Sequence, residues 1–476
     1  MDIPNPIRRE LPGIVHAFDE RAMRERLQAT LFDPARSSFV VERCEAEKPL
    51  FVPGECCTVQ YDVLARDPSS GVVLEPVVTG RVFPDRSACA EYMTRKLAPL
   101  VERARGRPDL EMFTALARVI EPPEMLVHAW PIDGEMPTLV DATDPRRMLD
   151  VLHAALDGEL AVDECRIERV SYRRRQRCVL RYTVSGRSAR DGARRERVVY
   201  GKLTPYGAQA LDGPALEALR DHVGARAGFR FTVPRSLGWR PDLRLALLEA
   251  VPGEARMGSA LRARLRGEPS SAPLTLEEMI ATAARVAAAL HRSGLPLGAA
   301  RTLEDRLADL DREIAITRVF DPEFAERARI WVARVAAHAR RSTPQAFRLC
   351  HGDFKYAQLL FDGAEPGLVD LDRLCQAEPA LDLGLFVATL RTQVRKSEKR
   401  SADRTGLDDA LAGEFLDVHE REMGWDAEEA RHARERSRLH EIASLLRVAL
   451  HSQQKFKDAR LDSTTAILEE RLAELG

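Results

Sequence analysis

The chain has 476 residues, with 72 basic and 74 acidic side chains, a formal net charge of −2 and a pI near 6.6. That balance excludes the basic footprint of a nucleic-acid binder, and a hydrophobic content of 45% supplies packed cores rather than disorder. No run of about 18 apolar residues is present to span a bilayer, and the opening MDIPNPIRRELPGIVHAFDE lacks the apolar stretch of a signal peptide, so a soluble cytoplasmic protein is expected. Eight cysteines without C-x-x-C or zinc spacing fit free thiols in a reducing compartment. The length predicts two to three lobes.

The first half repeats itself. Sliding the sequence by 121 residues aligns 41–84 with 162–205 without a gap, and thirteen of the 44 columns are identical, among them Cys57 with Cys178, Tyr61 with Tyr182 and Gly80 with Gly201. Composition alone would give roughly three identities, so a duplication is expected. The likeness extends with small gaps from near Ile120 to near Leu237, giving each copy two alternating strands, a helix and a further strand pair.

In the second copy, 178–184 (CVLRYTV) alternates as a half-buried strand, and 198–205 (VVYGKLTP) is its partner with Lys202 inside it. The turn before them, 172–177 (YRRRQR), has no glycine; its arginines, Arg175 and Arg177 among them, are either a solvated basic face or anion contacts. Residues 214–223 read as a helix with proline at a tolerated N-terminal position, carrying Glu217 and Asp221 one turn apart. Residues 243–253 (LRLALLEAVPG) form a strand that runs into a Pro-Gly break.

From Thr275 the apolar period becomes helical and stops at 294–296, with His291 packed or dipole-bound at the helix end. A helical hairpin over 303–338 breaks at 320–322, and further helices are expected over 407–422, over 426–457 and through Leu475. The acidic side chains Asp417, Glu420, Glu422, Asp426, Glu428 and Glu429 either line a cleft for a cationic ligand or belong to a solvated helix pair.

Between these helices, 349–361 (LCHGDFKYAQLLF) sets His351, Asp353, Lys355 and Gln358 on a loop between apolar runs. In 367–384 (GLVDLDRLCQAEPALDLG) a short apolar strand delivers Asp370 and Asp372 at its end. Only eight of the 72 basic residues are lysines, so a lysine at a motif position is informative. His351-Gly352-Asp353, Gln358, the LVDLD of 368–372, Glu378-Pro379 and the LDLG of 381–384 together resemble the aminoglycoside phosphotransferase and choline kinase family of small-molecule kinases. The commoner family loop has Asn where this chain has Gln358; the maltokinase branch is similar to this chain in using Gln.

The resemblance implies an α+β, protein-kinase-like two-lobe fold, with a β-rich N-lobe over 151–265 and an α-rich C-lobe over 266–476. Residues 1–150 would be a degenerate, cap-like copy of the N-lobe, with Arg81 at the position of Lys202 and no HGD loop behind it. In the family's terms, Asp353 accepts or orients the proton of an acceptor hydroxyl and Lys355 meets the transferring phosphoryl group. Asp370 holds Mg2+, Gln358 gives an oxygen to a second ion, and Asp372 is a further metal candidate. Lys202 holds the inner phosphates of ATP with Glu217 or Asp221 as its acidic partner, and Arg175 and Arg177 touch the triphosphate. The backbone from Glu249 to Val251 meets adenine, and His351 and Asp382 brace the loop.

The function implied is transfer of the γ-phosphoryl group of ATP to a hydroxyl of a small molecule: a sugar, an aminoglycoside or an amino alcohol. The Gln358 likeness tilts the acceptor toward a sugar. The alternative is an inactive pseudokinase that binds a nucleotide or a partner. No nucleic acid or membrane is expected as a partner, and oligomeric state and nucleotide preference stay open.

Overall fold

A computed structural model describes residues 3–121, 124–205, 213–225, 229–270, 272–361, 365–398 and 406–475. The chain divides into two compact units, one of Met1–Ala208, Leu237–Leu248 and Gln454–Phe456, the other of Gln209–Ser236, Glu249–Gln453 and Lys457–Gly476. Sheets dominate the N-terminal region and helices the C-terminal region, the α+β class expected.

The first unit holds two sheets. One is built from β1 (Val40–Val52), β2 (Cys56–Arg66), β3 (Val73–Leu74), β4 (Val77–Val82), β5 (Ala117–Ile120) and β6 (Met125–Ala129), in the order β1-β2-β4-β6-β5 with β3 attached to β2. The other has β7 (Leu160–Arg173), β8 (Arg177–Ser188), β9 (Arg194–Leu203), β10 (Ser236–Arg240) and β11 (Leu245–Glu249), in the order β7-β8-β9-β11-β10. Their registers coincide under the 121-residue offset: Cys57 faces Val82 as Cys178 faces Leu203, and Val59 faces Gly80 as Leu180 faces Gly201.

The shared tyrosine and glycine columns have a packing reason. A Cβ on Gly80 would lie 2.8 Å from the Tyr61 ring, and one on Gly201 2.6 Å from the Tyr182 ring. Each ring is fully buried, and each hydroxyl must therefore find an acceptor inside. Tyr61 donates to the Ala17 carbonyl at 2.6 Å and Tyr182 to that of Ala142 at 2.9 Å, each carbonyl just ahead of a helix, Glu20–Leu31 and Pro145–Ala155. Tyr182, Leu180, Val199 and Leu245 then share one apolar cluster with Met148 and Leu152 of the second of those helices.

In the second unit the helix Leu276–His291 opens on a capping box between Thr275 and Glu278, and Leu303–Arg318 on one between Thr302 and Asp305. Asp321 caps Pro322–Ala339 by accepting from Phe324 N, which explains the break read at 320–322. The helix expected over 426–457 ends at Gln454; Phe456 adopts φ 51 and Lys457 precedes the last helix, Asp458–Ala473. Three short strands, β12 (Ala299–Ala300), β13 (Arg348–Cys350) and β16 (Cys375–Ala377), join in the order β12-β16-β13, and β14 (Leu359–Leu360) pairs with β15 (Gly367–Leu368). No helix among the described residues is long and apolar enough to cross a membrane.

The helix Ala380–Glu398 was not legible as a helix, because it carries Gly384 near its start. The glycine permits contact with the helix Ala427–Gln454: a Cβ there would meet Ser437 O at 2.4 Å and Glu441 N at 2.5 Å. Backbone atoms cannot rotate aside, so Gly384→Ala should cost about 1–3 kcal/mol, read as a lower urea midpoint; an unchanged midpoint would show that the two helices yield freely. Beside this contact Arg436 grips Glu378 through both carboxylate oxygens, at 2.7 and 2.8 Å, both residues being buried. The two ends fix the segment that carries Asp382.

Candidate functional site

Antiparallel pairing of β13 with β16, Cys350 opposite Cys375, ends where the HGD segment begins. Gly352 there has φ 75, and a Cβ would come within 2.1 Å of Arg373 O, so only glycine fits. The fully buried His351 directs Nε2 at the Val369 carbonyl (3.1 Å), and its Nδ1 accepts from Asp353 N (3.3 Å).

Asp382 is wholly buried, and its oxygens are met by backbone and imidazole nitrogens. Its Oδ2 accepts from His351 N at 2.6 Å, its Oδ1 from Gly352 N at 2.9 Å, and His291 Nε2 lies 3.2 Å from Oδ2. On its other side His291 Nδ1 is 2.9 Å from His419 Nε2. Burial, and after it the charges of His291 and Arg292, hold His419 well below the usual histidine range, so it is neutral. The Asp382 carboxylate thus ends a hydrogen-bonded line that starts in the helix Leu407–Met423 and reaches the HGD backbone.

The pairing of β14 with β15 brings the second motif to the first. Leu359 faces Leu368, and Val369 N donates to the Gln358 carbonyl at 3.0 Å. Gln358, 3% exposed, directs Nε2 at two carboxylates at once, Asp353 Oδ2 at 3.1 Å and Asp370 Oδ2 at 3.2 Å. Its Oε1 accepts from Lys355 N at 3.2 Å, while Lys355 Nζ bonds Asp353 Oδ2 at 2.7 Å. Asp370 adopts a left-handed conformation, φ 67 and ψ 45, which costs of the order of 1–3 kcal/mol and aims a side chain where regular backbone would not. Asp372 follows, half-buried, in the turn Leu371–Arg373. Burial raises the Asp353 pKa, but the Lys355 ammonium and its hydrogen bond, with His351 and Arg373, outweigh it and hold the carboxyl below its ordinary value.

The structure therefore brings Asp353, Lys355, Gln358, Asp370, His351 and Asp382 together. Val251 belongs to the same unit, and its Cγ1 lies 2.4 Å from where a Cβ on Gly367 would be, so the segment after β11 packs on the strand before Asp370. Glu249, at the end of β11, bonds Arg235 through N (2.9 Å) and Oε2 (3.1 Å). Glu217 is half-buried and Asp221 exposed on the helix Gly213–Ala225. Lys202, half-buried on β9 opposite Val179, lies in the first unit, as does Arg177 at the start of β8. Arg175, also there, has φ 59 and pairs with Glu55 at 2.9 Å.

Of the acidic side chains after Leu407, Asp417 and Glu420 pair with Arg434, and Glu422 with Arg285 and Arg292, as on a solvated helix pair. Sequence reasoning missed His419 and Arg373. His419 meets the site only through the tertiary fold, across 128 residues from His291, whereas Arg373 stands directly after Asp372 in the second motif and its charge carried no signal of its own.

Residues 172–415 match the model of the phosphotransferase enzyme family, and the chain belongs to that family as a small-molecule phosphotransferase. No curated relative matches it. Among solved structures it is similar to choline kinase from Cryptosporidium parvum Iowa II, at 11% identity over 65% of this chain and 90% of that one, with a TM-score of 0.44. It is also similar to a glucosamine kinase in complex with glucosamine, ADP and inorganic phosphate, at 20% identity over 68% and 98% with a TM-score of 0.43. A glucosamine kinase in crystal form B aligns with 95% of this chain and 100% of its own at 18% identity, TM-score 0.44.

Proposed function

We propose that the chain moves the γ-phosphoryl group of ATP to a hydroxyl of a small molecule, with a sugar as the acceptor class. The observation that carries this reading is the single amide of Gln358 bonded to both Asp353 and Asp370. Two carboxylates converge there on one point, beside an ammonium. Phosphoryl transfer asks of a protein little beyond positioning and charge neutralisation.

The carboxylates of Asp370 and Asp372 suit a hard divalent cation; Gln358 as placed turns Nε2 toward Asp370 and gives Oε1 to Lys355 N, so its oxygen would serve the ion only with the amide reversed. Asp370, with Gln358 and Asp372, would hold Mg2+, which when bound neutralises phosphate charge. Asp353 orients the acceptor hydroxyl and takes its proton, and Lys355 contacts the transferring group. Asp382 and His351 keep Asp353 in place by fixing the backbone on either side of Gly352. Lys202, Arg175 and Arg177 of the first unit, and Glu217, Glu249 and Val251 of the second, carry the nucleotide contacts in this proposal. The organisation into 1–150, 151–265 and 266–476 belongs to it too, with the first segment a duplicated module; the matching strand orders and registers support that history.

Because Asp353 is held below the ordinary carboxylate range, its ionised form is present at neutral pH and is lost only as pH falls through that lowered value. The transfer rate should accordingly show no acid limb near neutrality that Asp353→Glu displaces; a limb there that moves with this substitution would contradict the assignment. The function itself is tested by thermal melting with Mg-ATP together with ADP release over a panel of hydroxylated metabolites. A kinase is protected and releases ADP with an acceptor, whereas a pseudokinase is protected only.

A further inference from the structure

Asp353 stands among more positive charge than its own loop supplies. Besides Lys355, the guanidiniums of Arg306, Arg373 and Arg447 act on it, and Arg301 acts on two of those three. They come from four different segments of the second unit. Arg373 closes the turn Leu371–Arg373, and its carbonyl lies against Gly352, next to Asp353. Arg301 follows β12, which runs parallel to β16, and its N donates to the Gln376 carbonyl at 2.9 Å. Arg306, on the helix Leu303–Arg318, donates to Ser444 Oγ at 2.9 Å, and Ser444 lies one turn before Arg447 on the helix Ala427–Gln454.

This charge is not balanced from within. Asp353 is already bonded to Lys355 and Gln358, and Asp309 holds both Arg301 and Arg312. Among the described residues, Arg373 and Arg447 make no ion pair and no side-chain hydrogen bond, and both are exposed. Arg447 is nonetheless closely surrounded. Burial, and after it the charge of Arg373 and then that of Arg301, hold it below the usual arginine range, with Asp353 and Glu313 pulling the other way. An exposed guanidinium from which the protein has already taken much of the water belongs to the wall of a cleft, not to a convex surface. Burial, then Arg447 and Arg301, push Arg306 down to about 10. Like charges gathered in such a place repel until an anion enters, and a guanidinium fork matches the paired oxygens of a carboxylate or a phosphate. The helices Leu303–Arg318 and Ala427–Gln454 supply none of the nucleotide or cation contacts proposed above. What Asp353 itself receives is the acceptor, so the acceptor is what these guanidiniums meet.

We propose that the acceptor is an acidic hydroxylated molecule, a sugar or similar compound whose carboxylate or phosphate is held by Arg447 and Arg373 while its hydroxyl lies at Asp353. This rests on phosphoryl transfer at Asp353 and adds to it the charge of the substrate. The test compares glucose, glucosamine, gluconate, glucuronate and glycerol phosphate in two ways: ADP release from Mg-ATP, and calorimetry of the full chain with Mg-ADP present, where binding needs no turnover. An acidic compound should be the preferred acceptor and the tightest ligand, gluconate or glucuronate if a carboxylate is read and glycerol phosphate if a phosphate is. Arg447→Gln should raise its KM and its dissociation constant roughly tenfold or more, as the loss of a hydrogen bond between charged groups does. Mg-ADP affinity should stay at the wild-type value, and Arg447→Lys should recover part of the loss. The proposal is overturned if no acidic compound binds, if glucose or glucosamine is preferred, if Arg447→Gln leaves acceptor binding unchanged, or if it weakens Mg-ADP instead. An acidic compound that binds through Arg447 yet never releases ADP would keep the anion site and refute phosphoryl transfer.

Discussion

Asp353→Asn should lower phosphoryl transfer by roughly 10²–10⁴-fold, the usual worth of a positioned proton acceptor, while leaving fold and nucleotide affinity intact. Asparagine keeps the volume of the side chain and an oxygen for Lys355 Nζ and Gln358 Nε2, the two groups that hold Asp353 Oδ2. It cannot take the proton of an acceptor hydroxyl. Asp370→Asn should instead weaken Mg-nucleotide binding and turnover together, because that carboxylate is the proposed cation ligand. Single-turnover kinetics with thermal melting in Mg-ATP separate the two. Equal loss of folded structure in both variants, seen by circular dichroism, would make these residues structural.

Asp382→Ala should be the most destabilising single change in the second unit. The carboxylate is wholly buried and receives His351 N and Gly352 N, with His291 Nε2 beside it. Its removal strands three buried donors, each worth about 1–3 kcal/mol, and the total should be comparable to breaking a buried ion pair, ~3–5 kcal/mol. Since the same donors set the position of Asp353, activity should fall even where the variant remains folded. Urea unfolding followed by tryptophan fluorescence gives the first quantity, and turnover well below the unfolding midpoint gives the second. A variant with the wild-type midpoint would mean that the Asp382 hydrogen bonds do not hold the loop.

Much of this arrangement was legible because its polar groups occupy two short local segments. His351, Asp353, Lys355 and Gln358 fall within eight residues, and Asp370 and Asp372 follow an apolar strand, so spacing alone proposes a common loop. The strand read at 178–184 lies inside β8, and the one read at 198–205 coincides with β9 as far as Leu203, where alternation reflects a sheet with one buried face. The helix start at Thr275 was visible through the change of apolar period and the break at 320–322 through its proline, and the structure adds the capping side chains Thr275 and Asp321 at those points.

What escaped the sequence lives in tertiary contacts. Gly384 argues against a helix until Ser437 and Glu441 of a second helix are seen pressed against it. Nothing near His419 reveals that it meets His291, and nothing near Gln358 reveals that its amide bridges two carboxylates twelve residues or fewer away. The polar face of Thr58, Gln60, Thr79, Arg81 and His128 is likewise invisible until strand register places those side chains on one side.

The most direct measurement is acceptor-dependent ADP release from Mg-ATP across hydroxylated small molecules, run in parallel on wild type and Asp353→Asn. The expected result is release by wild type with at least one acceptor and near-complete loss in the variant, with Mg-ATP raising the melting temperature of both. Wild-type rates in Asp353→Asn, or thermal protection of the native chain without release for any acceptor, would contradict phosphoryl transfer at this site.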